Sequence, residues 1–243
     1  FLDRVVISLL IVPIQADLQI SDTEISLIVG LSFAIFYTLF GLPVGRLVDR
    51  CNRKWIIVCG ILMWSLATAA CGLAKSFWHL LIARIFVAVG EATLSPSAYS
   101  MITDYFKASR LSLAMSIYNM GMFGGAGASL VMAGYVIALI SGYPNLSLPF
   151  YGPVEPWQVV FISVGLPGVL VAVLMLTVKE PRRRGLMTVS KLAEEINPAP
   201  KKNIPIKETL AFMRLNFRTY GGLMGALSLS SLYGYALNAW APT

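Results

Sequence analysis

Apolar stretches about 20 residues long recur along the chain between polar interruptions, each long enough to cross roughly 30 Å of hydrocarbon. They are too unbroken to be strands of a membrane barrel, and helices are the remaining way to satisfy a backbone in lipid. The first run, 1–14, is short for a span and reads as a helix missing its start. The polar stretch QADLQISDTEISL follows, where Ser21 and Glu24 have the spacing of a capping box for a second helix over 22–48. Further helices are predicted over 54–74, 77–104, 110–140 and 157–178, and a seventh begins near Tyr220 and runs to the end.

Two connections are long. SGYPNLSLPFYGPVEPWQ, between the fifth and sixth spans, is rich in Pro, Gly and Tyr and reads as an ordered outer loop. The other, 179–219, contains KEPRRR, then NPAPKKNIP, then IKETLAFMRLNF. In the last of these Leu210, Met213 and Phe217 share a face opposite Lys207, Arg214 and Arg218, the pattern of a helix lying on a membrane surface. The expected organisation is a six-helix membrane bundle over 1–178, a linker with this amphipathic helix over 179–219, and the start of a second bundle over 220–243. Both ends fall inside apolar segments, so the chain reads as a piece of a longer six-plus-six protein with helices one and seven cut.

Composition agrees with the pattern: 57% of residues are hydrophobic, 13% are charged, and the mean hydropathy is +0.73. The formal net charge of +7 does not point to nucleic acid, because the basic residues are confined to alternate loops. Arg46, Arg50, Arg53 and Lys54 follow the second span, Lys107 and Arg110 the fourth, and ten more lie from Lys179 to Arg218, whereas the opposite loops hold only Lys75. The positive-inside rule puts the basic loops, and the N-terminus, in the cytoplasm. Cys51, Cys59 and Cys71 have no CxxC spacing and are expected to be free thiols; no metal site is expected.

GLPVGRLVDRCNRK, 41–54, is the most specific stretch. Gly41 and Gly45 allow one helix face to come against a neighbour, and Asp49 with Arg50, Arg53 and Lys54 can form a charge cluster that pairs in one conformation and breaks in another. A plainer alternative is that the basic residues only set orientation. At the end of the fourth span Asp104 is available to Arg53, or is an ordinary solvated acid. The fifth span carries Gly121, Gly125, Ser129 and Ala133, each four apart, with Gly124 and Gly127 between; plain helix packing is the leading reading.

ARIFVAVGEATLSP, 83–96, places Arg84 and Glu91 nearly two turns apart on one face, about 10 Å along the axis. A charge at mid-bilayer costs roughly 2.5 to 3.5 kcal/mol, so both are expected to face a cavity or partners. The first span supplies Asp3, with Arg4 beside it as a second anion contact or a residue at the helix end. A carboxylate that is desolvated in one state and paired with arginine in another is suited to proton coupling; a static ion pair of Arg84 with either acid is the alternative. Phe33, Phe36, Tyr37 and Tyr118 are candidates to line an apolar part of such a cavity, or ordinary packing residues.

The stretches LDR, GLPVGRLVDRCNRK, WSLATAACGLAKSFWHLLIARIFVAVGEA, SPSAYSMITDYF and PWQVVFISVGLPG together resemble bacterial members of the Spinster-like branch of the major facilitator superfamily, up to the linker. The glycines, aspartate and basic residues of 41–54 resemble that superfamily's signature loop, and the helix-five glycines loosely resemble its antiporter motif, without the usual proline. The resemblance implies an all-α twelve-helix rocker-switch carrier in which Asp3, Arg84 and Glu91 serve proton coupling and substrate binding, and Asp49, Arg53 and Asp104 form a cytoplasmic latch. It also implies a small amphipathic or anionic substrate, lysolipid-like by the resemblance, with organic-anion and sugar-acid symporters the nearest rivals and a non-transporting receptor on the same fold a further one. The expected setting is the bacterial inner membrane, with protons, lipid and a small molecule as partners, no cofactor and a monomeric full-length protein. An enzyme is disfavoured by the lone His79 and the absence of a ligand-spaced or nucleophile cluster, and no P-loop supports ATP drive.

Overall fold

The computed structural model describes residues 2–140, 147–148, 152–183 and 206–240. Within these it is nearly all helical, and five helices are long and apolar enough to cross a membrane. The first apolar run forms two short helices, α1 (Leu2–Leu9) and α2 (Ile11–Leu18), so it continues past the expected end at residue 14. Pro13 explains the break: it has no N–H, and its ring crowds the carbonyl four residues back, while Leu10 N–H turns to Ile7 O at 3.0 Å. Gln19 closes α2 with a left-handed φ of 52°.

The second span begins as expected. Ser21 and Glu24 form a capping box at the start of α3 (Asp22–Ser26), followed by a π-turn over Leu27–Leu31 and then α4 (Ser32–Arg50). Ser32 Oγ donates to Leu27 O at 2.6 Å across that turn. After the two-residue link of Cys51 and Asn52 comes α5 (Arg53–Cys71), capped by Asn52 Oδ1 accepting from Trp55 N–H at 3.3 Å. The span expected over 77–104 runs from Phe77 to Tyr105 and is interrupted at Ala92–Thr93, between α6 (Phe77–Glu91) and α7 (Leu94–Tyr105). Pro96 removes the donor that Ala92 O would use, and Thr93 N–H bonds Gly90 O, so the helix breaks directly after Glu91.

Next come α8 (Ala108–Ile140), a two-stranded ribbon of β1 (Ser147–Leu148) and β2 (Gly152–Pro153), and α9 (Pro156–Met175). Two units divide at Thr188 and Val189. The second holds α10 (Ile206–Leu215) and α11 (Phe217–Trp240), with Phe212 and Tyr220 edge to face at 6.1 Å. The side chains of Lys207 and Leu210, most of the 141–151 loop and the NPAPKKNIP stretch lie outside the described residues.

The first unit is built around α5, which packs most extensively on α9 and then on α6; α4 lies on α6, and α1 on α8. Glycine sets the closest approaches. A methyl group at Gly60 would lie 1.8 Å from Thr93 Oγ1, one at Gly90 2.8 Å from Trp64 N, one at Gly165 2.5 Å from Ala69 N, and one at Gly168 2.0 Å from Ser65 Oγ. The glycines singled out from the sequence behave differently: a methyl at Gly41, Gly45, Gly121 or Gly125 would meet nothing within 4 Å. The close contacts expected there are therefore not made among the described residues. Val6, Ile7, Leu10, Ile14, Ile28, Leu80, Trp157 and Phe161 form the main core.

Candidate functional site

The mid-bundle site is assembled from α1, α4 and α6. Arg4 reaches from α1 to the carboxylate that ends α6: its Nε donates to Glu91 Oε2 at 2.8 Å and its Nη2 donates to the same oxygen. The side chains are mostly covered, Arg4 at 22% and Glu91 at 11% exposure. The flat face of the guanidinium stacks on α4, with Cζ 4.2 Å from the Phe33 ring centroid and 5.0 Å from that of Tyr37. Arg84, buried at 1% exposure, approaches the same Phe33 ring at 5.5 Å. Phe33 and Tyr37 are themselves stacked at 5.9 Å.

Arg4 thus takes the place at Glu91 that the sequence pattern offered to Arg84. Nearly two turns separate Arg84 from Glu91 along α6, and the first span fills the gap with its own arginine. Both arginines address one aromatic ring, so the site combines two cations, a carboxylate and an apolar wall. Asp3 lies in α1, but its side chain is outside the described residues. Tyr118 pairs with Tyr99 edge to face at 5.2 Å, and Tyr99 OH donates to Asn119 Oδ1 at 3.1 Å. Phe36 stacks on Phe40.

A second charged constellation lies where α4 meets α5. Arg53, 1% exposed, donates through Nη1 to Asp104 Oδ2, to Ser100 O at 3.1 Å and to Ser100 Oγ at 2.9 Å. Its Nε donates to Glu180 Oε1 at 2.7 Å and its Nη2 to Pro181 O at 2.9 Å, while Lys54 N–H donates to Glu180 Oε2 at 2.9 Å. Arg53 with Asp104 is the pairing expected from the sequence. Glu180 was missed, since KEPRRR read as a basic run; an acid followed by proline just past a span was the available signal.

The wider cluster differs from expectation. Asp49 and Arg50 are exposed, and among the described residues no cation pairs with the Asp49 carboxylate. Arg53 begins α5 and points to α7 and the segment after α9, whereas Asp49 lies on the outer side of the last turn of α4. The backbone of that turn is held instead by Arg183, which donates to Val48 O at 2.6 Å, Cys51 O at 2.8 Å and Asp49 O. A cation at a helix C-terminus satisfies carbonyls that have no intrahelical donor. Cys51 and Cys59 are exposed free thiols and Cys71 is a buried one.

The chain is similar to the hexuronate transporter of Bacillus subtilis, 28% identical over 92% of this chain and 50% of that protein. It is also similar to protein spinster homolog 1 of Homo sapiens, 28% identical over all of this chain and 42% of the relative. Among solved structures it resembles a bacterial homologue of the human lysosomal transporter Spinster in an inward-facing and occupied conformation, with a TM-score of 0.67 and 39% identity over 75% of this chain and 42% of that one. The inward-facing and unoccupied conformation matches with a TM-score of 0.66 and 34% identity over 85% of this chain and 43% of that one. The chain spans about half the length of the relatives it matches. These relatives are transporters rather than enzymes, and the family model for the Major Facilitator Superfamily matches residues 1–243, so the chain belongs to that superfamily.

Proposed function

We propose that the chain is the first half of a proton-coupled secondary transporter that moves a small amphipathic or anionic molecule by alternating access. The observation that carries this reading is the Arg4–Glu91 pair laid against Phe33 and Tyr37, with buried Arg84 on the same ring. An anion that takes the Arg4 guanidinium breaks its pair with Glu91, and in the proposed cycle a proton exchanges at Glu91 in the same event. Asp3 is assigned to the same exchange from its place on α1, and Arg84 to holding the anionic group.

The Arg53, Asp104 and Glu180 cluster fits a latch at the cytoplasmic end, an orientation that rests on the basic loops. Asp49 stays in that role as an acid free to meet a group outside the described residues. The protein is assigned to the bacterial inner membrane with a cytoplasmic N-terminus, as a monomer, with 179–219 as linker and 220–243 as the start of the second bundle.

Two substrate classes compete. The aromatic wall beside the guanidinium favours an amphipathic, lysolipid-like molecule, in keeping with the likeness to Spinster proteins. Two arginines on one ring favour a compact sugar acid or other organic anion, in keeping with the likeness to a hexuronate transporter. The test is uptake by the full-length protein in proteoliposomes under an imposed pH gradient, with lysolipids and sugar acids, for wild type and Glu91→Gln. Gradient-driven flux that disappears in Glu91→Gln while binding persists supports the coupling site. Equal gradient-driven flux in both proteins would overturn it.

A further inference from the structure

Away from the Arg4–Glu91 pair, α5, α7 and α9 enclose an apolar groove of about 450 Å³. Its floor is Ile57, Ile61, Ala98 and Met101, all buried, and its outer walls are Val171 and Leu174, exposed at 52% and 65%. Its one polar lining group, the Tyr105 hydroxyl, is already spent on Lys179 O. A groove with a buried floor and bare apolar lips opens onto hydrocarbon in a membrane-embedded bundle.

The end of the groove is charged. Lys54 Nζ donates to Leu176 O at 2.6 Å, between the lining residues Met175 and Val178, which puts the ammonium at its mouth. An ammonium has three donors, and this bond uses one. Among the described residues no carboxylate pairs with it. The nearby acids are engaged elsewhere: Asp104 on Arg53, and Glu180 on Arg53 and the Lys54 backbone N–H. Trp55 beside it is 55% exposed, and Lys179, whose carbonyl accepts from the Tyr105 hydroxyl of the groove lining, is exposed as well. Exposed tryptophan and lysine at a span end mark the level of the lipid headgroups. The groove therefore runs from the headgroup level into the hydrocarbon, with an uncompensated cation at its polar end.

We infer that this groove seats an acyl chain of an anionic phospholipid, with the headgroup phosphate on Lys54 and Lys179. The inference rests on the reading of the chain as a bilayer-embedded carrier half, but needs no transported substrate. Charge complementarity selects the occupant: a zwitterionic lipid would offer the mouth a cation as well as a phosphate. No glycine of α5, α7 or α9, the helices that wall this groove, is among those whose added methyl would meet nothing within 4 Å.

The test uses the full-length protein in detergent, titrated with phosphatidylglycerol or phosphatidylcholine of the same chains and read by native mass spectrometry. Wild type is expected to retain phosphatidylglycerol preferentially. Lys54→Gln and Lys179→Gln should each weaken that retention about fivefold, the attraction of one lysine, and leave phosphatidylcholine unchanged. Ala98→Phe, which fills the floor, should weaken retention of both lipids. Equal retention of the two lipids by wild type, or unchanged phosphatidylglycerol retention in all three variants, would overturn the site. A nitroxide on Leu174→Cys in nanodiscs, with the other cysteines replaced by serine, supplies the control for occupancy by protein: oxygen access is expected, and protection from oxygen would assign the groove to another part of the protein. A protein that binds the lipid but carries nothing would leave this inference standing and remove the proposed transport.

Discussion

The pair at the centre of the bundle gains from three sources at once: charge, hydrogen bonding and the two rings on which the guanidinium lies. Removing one partner of a covered ion pair leaves the other charge exposed to a poor solvent, which makes single changes worse than paired ones. The destabilisations caused by Arg4→Gln and by Glu91→Gln should therefore sum to more than that of the double variant, with a coupling of about 1–3 kcal/mol in a double-mutant cycle of unfolding in mixed micelles. Additive effects would mean that the pair contributes no stability. Arg4→Lys retains the charge and loses the flat stack and the fork, so it should lie between wild type and Arg4→Gln in the same assay. At this scale the sequence made the ionisable residues visible as misfits in apolar runs but, Arg53 with Asp104 aside, not their partners. Arg84 and Glu91 share a helix and invited pairing, yet the contact that forms spans 87 positions and depends on how α1 docks. Glu180 and Arg183 were hidden for a related reason: their partners, Arg53 and the carbonyls ending α4, come from a different part of the chain.

Helices were legible because each follows from local rules: apolar length, the capping box at Ser21 and Glu24, and the two-residue link ahead of Arg53. The breaks at Leu10 and at Ala92–Thr93 also had a local cause, in Pro13 and Pro96, and the latter places Glu91 at a helix end. The packing faces were less legible, because a glycine permits close approach without naming the helix that uses it. Gly165 has its neighbour: a methyl there would lie 2.5 Å from Ala69 N and 2.7 Å from Ser65 O, both backbone atoms that can yield only if α9 leaves α5. Gly165→Ala is expected to cost about 1–3 kcal/mol, as overpacking does. Gly125→Ala places its methyl in open space inside α8, where alanine is the better helix former by about 0.5–1 kcal/mol. Melting temperatures of the two variants in one detergent decide the matter: Gly165→Ala falls and Gly125→Ala holds or rises. A fall of equal size in both would show that openness around Gly125 does not describe the protein in solution.

For the whole molecule, the open glycines are informative because of where they lie. Gly41 and Gly45 on α4, and Gly121 and Gly125 on α8, present a surface with little side chain and no neighbour, while the tight glycines hold α5 to α6 and α9. The chain spans about half the length of its relatives, and the proposed function requires a second bundle for these faces to meet. Alternating access requires two bundles that approach at one end and separate at the other, and a surface without bulk is what a moving contact needs. Under that reading Gly45→Leu in the full-length protein leaves the first bundle intact, since nothing stands within 4 Å of the new side chain's first carbon. It obstructs closure instead. The expected result is a melting temperature near wild type together with a flux reduced at least tenfold, about 1.4 kcal/mol against the closed state. Binding measured at equilibrium should persist, because Gly45 lies more than two turns along α4 from Phe33 and Tyr37, the residues by which that helix joins the Arg4–Glu91 site. A variant with unchanged flux would show that this face does not close during transport, and one that fails to fold would show that it is already packed in the resting protein.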